Sequence, residues 1–314
     1  MLFIAGGTGF VGRHLIRSLT QGTYRARCLI RTPHKADLCS SSGFQTIAGD
    51  ITDRESLRGA LEGCSIAVHL VGIIEEKGSV TFEKVHVEGT RNLVEEAQRA
   101  KVRHVFYQSA LGASVSAGQR YLKTKAEAEE IVKASGIPST IFRPSLIIGP
   151  DDGFTEKLKT LVSLGPFVPV PGSGTAKFQP LSIDDWVRCF ATVFPDSEHP
   201  PERGSAGSKI FEIGGPEHLT YNELLTQFMG AMGVRKPIRH IPMEMVKMSL
   251  PFAKLSSAFF GLLGKTIPTV TAEQLELLQA DNICDRDAIS KQFGFTPVTY
   301  REALKKFMPL IKES

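Results

Sequence analysis

The chain has 314 residues, 42% hydrophobic and 22% charged, a composition typical of a globular protein and not of a disordered or fibrous one. Its formal net charge of +4 suits an anionic small ligand, and no lysine- and arginine-rich block with interleaved aromatic residues predicts nucleic-acid binding. The five scattered cysteines contain no CxxC pair, which argues against a disulfide framework or a zinc site and favours a reducing compartment.

Strand-like and helix-like segments alternate through the first half of the chain. The apolar runs typical of strands are Leu2–Ala5, Ala26–Ile30, Gln45–Ala48, Ile66–Val71, His104–Gln108 and Ser139–Phe142. The helical patterns between them are Val11–Leu19, Ser56–Leu61, Phe82–Arg99 and Tyr121–Lys133. Because the strand runs are apolar on both faces, the alternation predicts an α/β fold, a doubly wound parallel sheet with helices on both sides. Ligands of such sheets bind where the strands end.

The first predicted strand leads directly into a glycine-rich turn, GGTGFVG at residues 6–12, and then into a helical pattern. Such a turn lets the backbone approach a pyrophosphate closely, while the free N–H groups and the positive dipole end of the helix face it. The spacing is GxxGxxG and not GxGxxG, and a plain strand-to-helix turn is the alternative interpretation. We predict a dinucleotide site formed by Gly6, Thr8, Gly9, Phe10, Val11 and Gly12.

Charged residues follow the second and third strands at the same edge of the predicted sheet. Arg31 stands where an acidic residue would bind the ribose of NAD and where a basic residue suits the 2′-phosphate of NADP. With Lys35 nearby in sequence, Arg31 favours NADP(H) over NAD(H), the alternative being a solvated arginine. Asp50, followed by Ile51, has two interpretations of equal weight: contact with the adenine amino group, or capping of a helix.

The pair Tyr121 and Lys125 carries the most specific chemistry in the sequence. Residues four apart share one face of a helix, so the ammonium can lie near the phenol and lower its pKa toward neutrality. The fifth strand ends in Ser109, whose hydroxyl can polarise the substrate oxygen that Tyr121 protonates. Val71 and Gly72, at the end of the fourth strand, belong to the same edge and are expected to contact the cofactor. The alternative is a tyrosine packed on the sheet beside a solvated lysine.

The pattern changes after Gly149-Pro150, where we place the boundary between a dinucleotide-binding domain, residues 1–150, and a smaller, mainly helical cap, residues 151–314. In the second domain a strand over Lys209–Ile213 is predicted to return to the sheet, and residues 195–207 are predicted to form an exposed loop. Helices are predicted at Tyr221–Met232, Ala272–Gln279 and Tyr300–Ile311.

Targeting and membrane-spanning signals are not recognisable. No signal peptide precedes the first strand, and the most apolar stretch, residues 241–264, is interrupted by charged residues and a proline. We therefore expect a cytoplasmic protein whose association with a membrane is at most peripheral.

Three histidines lie in apolar or helical contexts without the spacing of metal ligands: His69, His86 and His104. We interpret them as packing or surface residues and predict no metal site. A GxSxG elbow is also missing from the sequence, which disfavours covalent hydrolysis.

Several motifs together resemble the short-chain dehydrogenase/reductase superfamily, in its extended or atypical branch, over nearly the whole chain. The motifs are GGTGFVG at 6–12, GDITD at 49–53, HVEGTRNL at 86–93, Ser109 with Tyr121 and Lys125, and FRPSLIIGP at 142–150. The resemblance implies a Rossmann fold in which the glycine turn binds the pyrophosphate and Asp50 contacts the adenine.

The same resemblance assigns the catalytic residues. It implies that Ser109, Tyr121 and Lys125 form the catalytic set, with Lys125 also holding the nicotinamide ribose. It further implies that Pro144 and Ser145 pass beside the nicotinamide.

Two subgroups of the superfamily compete. Sugar-nucleotide epimerases and dehydratases usually carry an arginine for the substrate phosphates in the segment that corresponds to 172–185, but Phe178 stands about where it would fall, next to Lys177. The chain looks more like the subgroup of the nucleotide-binding accessory subunit of respiratory complex I and its bacterial relatives. Many members of that subgroup bind NADP(H) without the full catalytic set, whereas this chain retains it.

Three functions are therefore open. The favoured one is an NADP(H)-dependent oxidoreductase that acts on a carbonyl or alcohol of an unidentified small molecule, for which the methionines and phenylalanines of residues 243–260 indicate apolar character. The second is a non-catalytic NADP(H)-binding assembly or redox-sensing protein that docks on a protein complex or a membrane surface. The third is a sugar-nucleotide epimerase that retains NAD.

Overall fold

Seven strands form one parallel sheet in the computed structural model, which describes residues 1–32, 37–163, 165–196, 207–246, 248 and 271–313. In chain order they are β1 (Leu2–Ala5), β2 (Ala26–Ile30), β3 (Gln45–Ala48), β4 (Ile66–His69), β5 (His104–Gln108), β6 (Ser139–Pro144) and β11 (Ser208–Ile213). They lie side by side in the order β11-β6-β5-β4-β1-β2-β3, and every neighbouring pair is parallel. The predicted doubly wound sheet is confirmed, including the strand that returns near residues 209–213.

Helices are named in chain order. They are α1 (Phe10–Leu19), α2 (Asp37–Ser41), α3 (Gly89–Arg99), α4 (Arg120–Ala134), α5 (Gly153–Ser163), α6 (Ile183–Val193), α7 (Tyr221–Met232), α8 (Ala272–Leu277), α9 (Ala288–Phe293) and α10 (Tyr300–Glu313). One face of the sheet packs apolar side chains of β1, β4 and β5 against those of α3 and α4. On the other face the rings of Phe106 and Phe142 meet those of Trp186 and Phe190 from α6. Burial of both faces explains why the central strands β1, β4, β5 and β6 read as apolar runs, whereas the edge strands β3 and β11 are more exposed.

The chain divides into two compact units. The first comprises Met1–Pro144, Ile183–Ile213 and Ala288–Phe295, and the second comprises Ser145–Ser182, Gly214–Asp287 and Thr296–Ser314. The predicted division at residue 150 differs from this because two later segments join the first unit. The physical reason is that β11 pairs with β6 along its whole length and α6 packs on α1, so the sheet is completed by residues from the second half of the sequence.

The second unit combines helices with three pairs of short strands. These strands are β7 (Ile147–Ile148), β8 (Val168–Pro171), β9 (Lys177–Phe178), β10 (Leu181–Ser182), β12 (Leu219–Thr220) and β13 (Ile238–Ile241), paired β7 with β10, β8 with β13, and β9 with β12. Gln179, fully buried, joins separate segments of this unit: its Nε2 donates to Gly215 O (2.7 Å) and its Oε1 accepts from the Cys284 N–H (2.7 Å). A single buried amide therefore stabilises the connections between these short elements.

Two helical predictions in the first unit need correction. The helix predicted over Ser56–Leu61 is wrong: one 3-10 turn, Glu55–Leu57, is formed, and Gly59 leaves the helical region with φ +79°. The Ser56 hydroxyl accepts from the Asp50 N–H (2.9 Å) and so holds the loop that precedes this turn. The segment predicted as one helix over Phe82–Arg99 is a π-helix, Glu83–Glu88, followed by α3.

Some predictions fall outside the described residues. Lys35 lies there, as do most of the predicted loop 195–207 and most of the apolar segment 241–264. Within the ranges that are described, no helix combines the length and apolarity needed to cross a bilayer, and no group of three or more His, Cys, Asp or Glu side chains could hold a metal ion.

Candidate functional site

The glycine turn between β1 and α1 is too tight for side chains at two of its glycines. Gly6 has φ +91°, and a Cβ there would lie 2.9 Å from the backbone nitrogen of Val71. A Cβ on Gly12 would lie 2.7 Å from the Cα of Gly7. Gly9 precedes α1 as its N-cap without a side-chain hydrogen bond, and the first turn of the helix contains no acidic residue. The start of α1 is therefore shaped to receive an anion from outside the chain.

The other predicted residues of this turn lie where the sequence places them. Thr8 is part of the turn, and Phe10 and Val11 begin α1; all three are half-buried. The turn is closed by a hydrogen bond from the Gly9 N–H to Gly6 O (3.1 Å). The structure thus brings the six residues of the predicted dinucleotide site together in one turn and the helix start that follows it.

The segment after β4 lies beside the glycine turn because β4 and β1 are neighbours in the sheet. Strands β2 and β3 lie on one side of β1, and β4, β5 and β6 lie on its other side. The boundary between β1 and β4 is therefore the topological switch point, at which such sheets bind ligands. A Cβ on Gly72 would lie 3.6 Å from His86 Nε2 and 3.7 Å from Lys125 Nζ. Val71 and Gly72 therefore connect the glycine turn with the lysine of the predicted catalytic set.

Arg31 and Asp50 meet at the ends of β2 and β3. Arg31 Nη1 lies 3.8 Å from Asp50 Oδ2, and the two side chains are 65% and 29% exposed. The other carboxylate oxygen of Asp50 accepts from the Thr52 N–H (2.9 Å) and from the Thr52 hydroxyl (3.0 Å). Asp50 thus holds a local turn with Thr52 and caps no helix, since the 3-10 turn that follows has Arg54 at its N-cap; its contact with adenine stays a prediction. The Ile51 side chain is buried against Gly89, where a Cβ would lie 2.6 Å from it, and leaves only the Ile51 backbone for a ligand.

Ser109, Tyr121 and Lys125 are supplied by a strand end and the helix that follows it. The Ser109 N–H donates to Phe142 O (2.7 Å), which fixes this residue between the ends of β5 and β6. Its hydroxyl is buried, with the residue 3% exposed, and finds no hydrogen-bond partner among the residues the structure describes. Tyr121 and Lys125 lie one turn apart on α4, and Lys125 Nζ donates to Gln108 O. The lysine thus ties α4 to the residue that precedes Ser109.

Burial shifts the pKa values of the tyrosine and the lysine in opposite directions. It raises the pKa of Tyr121 to about 12, so the lowering expected from the neighbouring Lys125 is not found in the protein alone. It lowers the pKa of Lys125 to about 7, while the negative charge of Glu129 acts in the opposite direction. The Lys125 ammonium also lies 4.5 Å from the centre of the Tyr107 ring. In the protein alone the phenol is therefore protonated and the lysine is close to half-charged at neutral pH.

Glu129 lies on α4 one turn beyond Lys125 and is 1% exposed. Arg143 of β6 binds it with two hydrogen bonds, from Nε (2.9 Å) and Nη2 (2.7 Å). This bidentate ion pair offsets the free-energy cost of burying the Glu129 carboxylate. It also anchors α4 to the strand that carries Phe142.

Two histidines that the sequence assigned to packing also belong to this site. His69 Nδ1 accepts from the Val71 N–H (3.3 Å), and His86 Nε2 accepts from the Ile73 N–H (3.1 Å). Burial, reinforced by the positive charge of Lys125, lowers their pKa values to about 3 and about 2. The prediction that both are packed is confirmed by their burial, but it missed that they hold the backbone beside the lysine. In the sequence, His69 is marked only by its position at the end of a strand, and His86 only by the HVEGTRNL motif.

Pro144 and Ser145 lie on either side of the division between the two units. The Pro144 carbonyl accepts from the Leu111 N–H (3.0 Å), which joins it to the segment after Ser109. The Ser145 hydroxyl lies 2.7 Å from Asn282 O, within the second unit, and accepts from the Gln179 N–H (3.3 Å). The predicted positions of both residues beside a nicotinamide stay predictions.

These features define a nucleotide-binding protein with a Rossmann-type sheet. Residues 6–167 match the model of the family described as NAD(P)H-binding, and the chain belongs to that family. It is of the extended short-chain dehydrogenase/reductase type, which also includes epimerases and dehydratases.

Known proteins with similar sequences differ in their roles. The chain is 28% identical over 303 residues to NADH dehydrogenase (ubiquinone) 1 alpha subcomplex subunit 9, mitochondrial, of Arabidopsis thaliana, over 92% of this chain and 72% of that protein. It is 30% identical over 182 residues to ceramide reductase of Caulobacter vibrioides, over 58% of this chain and 57% of that protein. One relative is thus a respiratory-complex subunit and the other an enzyme.

Solved structures share the fold with different nucleotides bound. The NADPH complex of the quinone oxidoreductase QOR2 from Escherichia coli has a TM-score of 0.72 at 19% identity, over 98% of this chain and 100% of that one. The dTDP-glucose 4,6-dehydratase DesIV from Streptomyces venezuelae, with NAD and TYD bound, has a TM-score of 0.69 at 21% identity, over 100% of this chain and 97% of that one. The glycine turn, which excludes side chains, and the buried Ser109 hydroxyl, which has no partner among the described residues, fit a nicotinamide dinucleotide.

Proposed function

We propose that this protein is an NADP(H)-dependent oxidoreductase that interconverts a carbonyl and an alcohol on a small apolar substrate. The observation that carries the proposal is the buried Ser109 hydroxyl, which has no partner within the described part of the chain, at the strand end to which Lys125 is bound. A hydroxyl in that state costs free energy unless a ligand atom completes its hydrogen bonding. A substrate oxygen is such an atom.

The residues of the site have separate roles in this reaction. When bound, the nicotinamide supplies or accepts the hydride. In the direction of reduction, Ser109 Oγ donates a hydrogen bond to the substrate oxygen and Tyr121 Oη gives it a proton. The charged form of Lys125 stabilises the phenolate that Tyr121 leaves behind. Because burial opposes that charge in the free protein, negative charge brought by a dinucleotide would restore it.

The preference for NADP(H) is supported by Arg31. Its guanidinium is 65% exposed at the end of β2 and lies 3.8 Å from the Asp50 carboxylate, so a cation stands at the edge where a 2′-phosphate would lie. Mass spectrometry of the nucleotide released from purified protein gives a direct answer. We expect Arg31→Glu to weaken NADPH binding about tenfold or more, as expected for loss of a charge-assisted hydrogen bond, and to leave NADH binding nearly unchanged. Equal losses for both nucleotides would contradict the assignment.

The residue that stands where sugar-nucleotide enzymes carry their substrate-binding arginine argues against a sugar-nucleotide substrate. Phe178 occupies it and is 6% exposed, with its ring 6.2 Å from that of Tyr221. The neighbouring Lys177 is an exposed residue of β9 whose backbone N–H binds Asp281 Oδ1 (2.8 Å). A buried aromatic side chain cannot hold a diphosphate.

Apolar character of the substrate is supported by two exposed side chains of the first unit. Ile74, which follows the segment held by His86, and Val115, between Ser109 and Tyr121, are each 56% exposed. The similarity to a ceramide reductase, whose name gives a lipid substrate, is in keeping with this.

The decisive experiment replaces the Tyr121 hydroxyl. NADPH oxidation would be followed with an apolar quinone and a long-chain aldehyde as substrates, for the wild type, Tyr121→Phe and the control Tyr24→Phe. The Tyr24 hydroxyl donates to Phe194 O (2.7 Å), so its removal tests structural damage alone. We expect Tyr121→Phe to lower kcat by about 100-fold or more with unchanged NADPH affinity. Full turnover in that variant would refute the proposal.

A second candidate is a role as a nucleotide-binding subunit of a larger assembly. It is favoured by the 28% identity to the respiratory-complex subunit over 92% of this chain. This role predicts retained NADPH without turnover in the wild type. It also predicts salt-sensitive flotation of the protein with anionic lipid vesicles if the docking surface is a membrane.

A further inference from the structure

His86 lies in an unusual backbone conformation beside Tyr121. The π-helix Glu83–Glu88 places it immediately before α3, and the residue is 1% exposed. π-Helical turns are rare and frequently occur at functional sites, because the wider turn re-aims one side chain. The side chain aimed here is an imidazole that the proposed chemistry does not use.

The hydrogen bonds of His86 fix its tautomer. The Thr124 hydroxyl donates its own proton to the Arg120 carbonyl (2.9 Å), one turn earlier on α4. Its lone pair is then available to His86 Nδ1, 3.0 Å away, so Nδ1 carries the proton. Nε2 must be unprotonated, since it accepts from the Ile73 N–H (3.1 Å). Both ring nitrogens are therefore occupied by partners that require the neutral Nδ1–H form.

The charged and titratable neighbours of His86 also favour the neutral form. Lys125 and His69 face it from α4 and β4, and both, together with burial, lower its pKa to about 2. Protonation of Nε2 would in addition break the hydrogen bond from Ile73. His86 is thus neutral at neutral pH and is oriented by its two hydrogen bonds.

The ring of His86 is packed against the phenol on which the proposed reaction depends. Its centre lies 5.6 Å from that of Tyr121, at 75° between the planes, which is the edge-to-face arrangement. Phe82 stacks on His86 at 5.5 Å and also meets Tyr121 edge-on at 5.9 Å, so each of the three rings contacts the other two. Two rings from one segment of chain therefore hold the tyrosine ring.

The same imidazole sets the position of the backbone beside the lysine. A Cβ on Gly72 would lie 3.6 Å from His86 Nε2 and 3.7 Å from Lys125 Nζ, so the backbone at Gly72 lies next to both side chains. The hydrogen bond from Ile73 keeps that backbone in place. One side chain thereby contacts the tyrosine ring and the surface next to the lysine.

From this arrangement, and on the basis of the function proposed above, we infer that His86 is a positioning residue for Tyr121. Its neutral ring, locked between Thr124 and Ile73, fixes the phenol relative to Lys125 and the backbone at Gly72. Displacement of a reacting group by about 1 Å can cost about 100-fold in rate. Loss of the ring's hydrogen bonds should therefore act on kcat and leave nucleotide binding in place.

The test compares His86→Phe with His104→Phe. His104 is also buried, lies 3.0 Å from a threonine hydroxyl (Thr140) and packs edge-on against Phe194 at 5.4 Å, but it is on the opposite face of the sheet from Tyr121. We expect His86→Phe to lower kcat about 10- to 100-fold with a less than threefold change in the KM for NADPH. His104→Phe should leave kcat within twofold, and His86→Asn, which keeps a donor and an acceptor, should recover part of the loss. Equal losses in the two phenylalanine variants would overturn the inference.

A second readout is independent of turnover. With 3-fluorotyrosine replacing the five tyrosines, the fluorine resonance of Tyr121 is identified by its disappearance in Tyr121→Phe. It should shift or broaden in His86→Phe and in His86→Asn, and remain unchanged in His104→Phe. If the wild type shows no turnover but the resonance shifts as expected, the proposed function fails and the positioning holds. An unmoved Tyr121 resonance in His86→Phe would refute the positioning itself.

Discussion

Replacing Lys125 with methionine should make the free protein more stable at neutral pH, although it removes a group on which the proposed chemistry depends. Lys125 is 4% exposed, and burial lowers its pKa from 10.5 to about 7. Between these two values the unfolded chain binds more protons than the folded protein, so the free energy of unfolding rises with pH across that window. The cost of the buried lysine is therefore largest at or below pH 7 and fades as the pH approaches 10.5.

The magnitude follows from the same values. The gap between 10.5 and about 7 corresponds to roughly 4 kcal/mol at pH 7 and to about 1 kcal/mol at pH 10. Methionine loses the hydrogen bond to Gln108 O and the contact with the Tyr107 ring, together worth about 2 kcal/mol. We expect Lys125→Met to raise the free energy of unfolding by about 2 kcal/mol at pH 7, and the gain to disappear or reverse by pH 10.

The assay is urea unfolding followed by tryptophan fluorescence. Trp186 is the only tryptophan of the chain, and it is buried in the unit that contains Lys125. Lys123→Met, at a 51% exposed position of α4, is the matched control and should change the free energy of unfolding by less than about 0.5 kcal/mol at either pH. A Lys125→Met variant that is less stable than the wild type at pH 7, or whose gain does not depend on pH, would refute the reasoning.

Two further predictions concern the nucleotide. Gly12→Ala should weaken NADPH binding at least tenfold and destabilise the protein by about 1 to 3 kcal/mol, because its Cβ would lie 2.7 Å from Gly7 Cα. Gly230→Ala, in α7 with open space around the position, should instead stabilise the protein by up to about 1 kcal/mol. Calorimetric titration measures NADPH binding in both variants, and denaturant unfolding measures their stability. NADPH binding at pH 8 should be accompanied by uptake of up to about 0.9 proton, because Lys125, with a pKa of about 7, is mostly neutral before the anion binds. Titration in buffers of different ionisation enthalpy measures this uptake, and no uptake, or the same uptake in Lys125→Met, would contradict the assignment to that residue.

Much of the first unit is predictable from local sequence. Strands β1 to β3 and β5 begin and end at the predicted residues. For β1, β2 and β5 the reason is that a strand buried along most of its length leaves an apolar run, whereas β3, at the edge of the sheet, is mostly exposed. The same holds for the glycine turn, where a steric requirement at Gly6 and Gly12 is visible as residue type. That Tyr121 and Lys125 share one face of α4 likewise follows from their four-residue spacing and from helix geometry alone.

What the sequence did not predict depends on contacts between distant residues. His86 has the same apolar surroundings in sequence as any packed histidine, and its role depends on Thr124 and Ile73, which only the fold brings to it. The partner of Glu129 is Arg143 on another element. The return of β11 to the sheet was predicted, but its pairing with β6 and the packing of α6 on α1, which extend the first unit, are specified by no local pattern. The helix predicted at Ser56–Leu61 failed because the backbone leaves the helical region at Arg58 and Gly59, the latter with φ +79°.

The late return of the chain to its sheet has a consequence for biosynthesis. During translation β6 is complete at Pro144, but its outer neighbour begins only at Ser208, and the helix that packs on α1 begins at Ile183. Until those residues leave the ribosome, the nascent protein exposes an open strand edge and an uncovered apolar helix face, both of which favour association with other chains. A proteolytic product or premature stop near residue 150 would keep that exposure permanently, so truncated forms should aggregate instead of persisting as free nucleotide-binding modules.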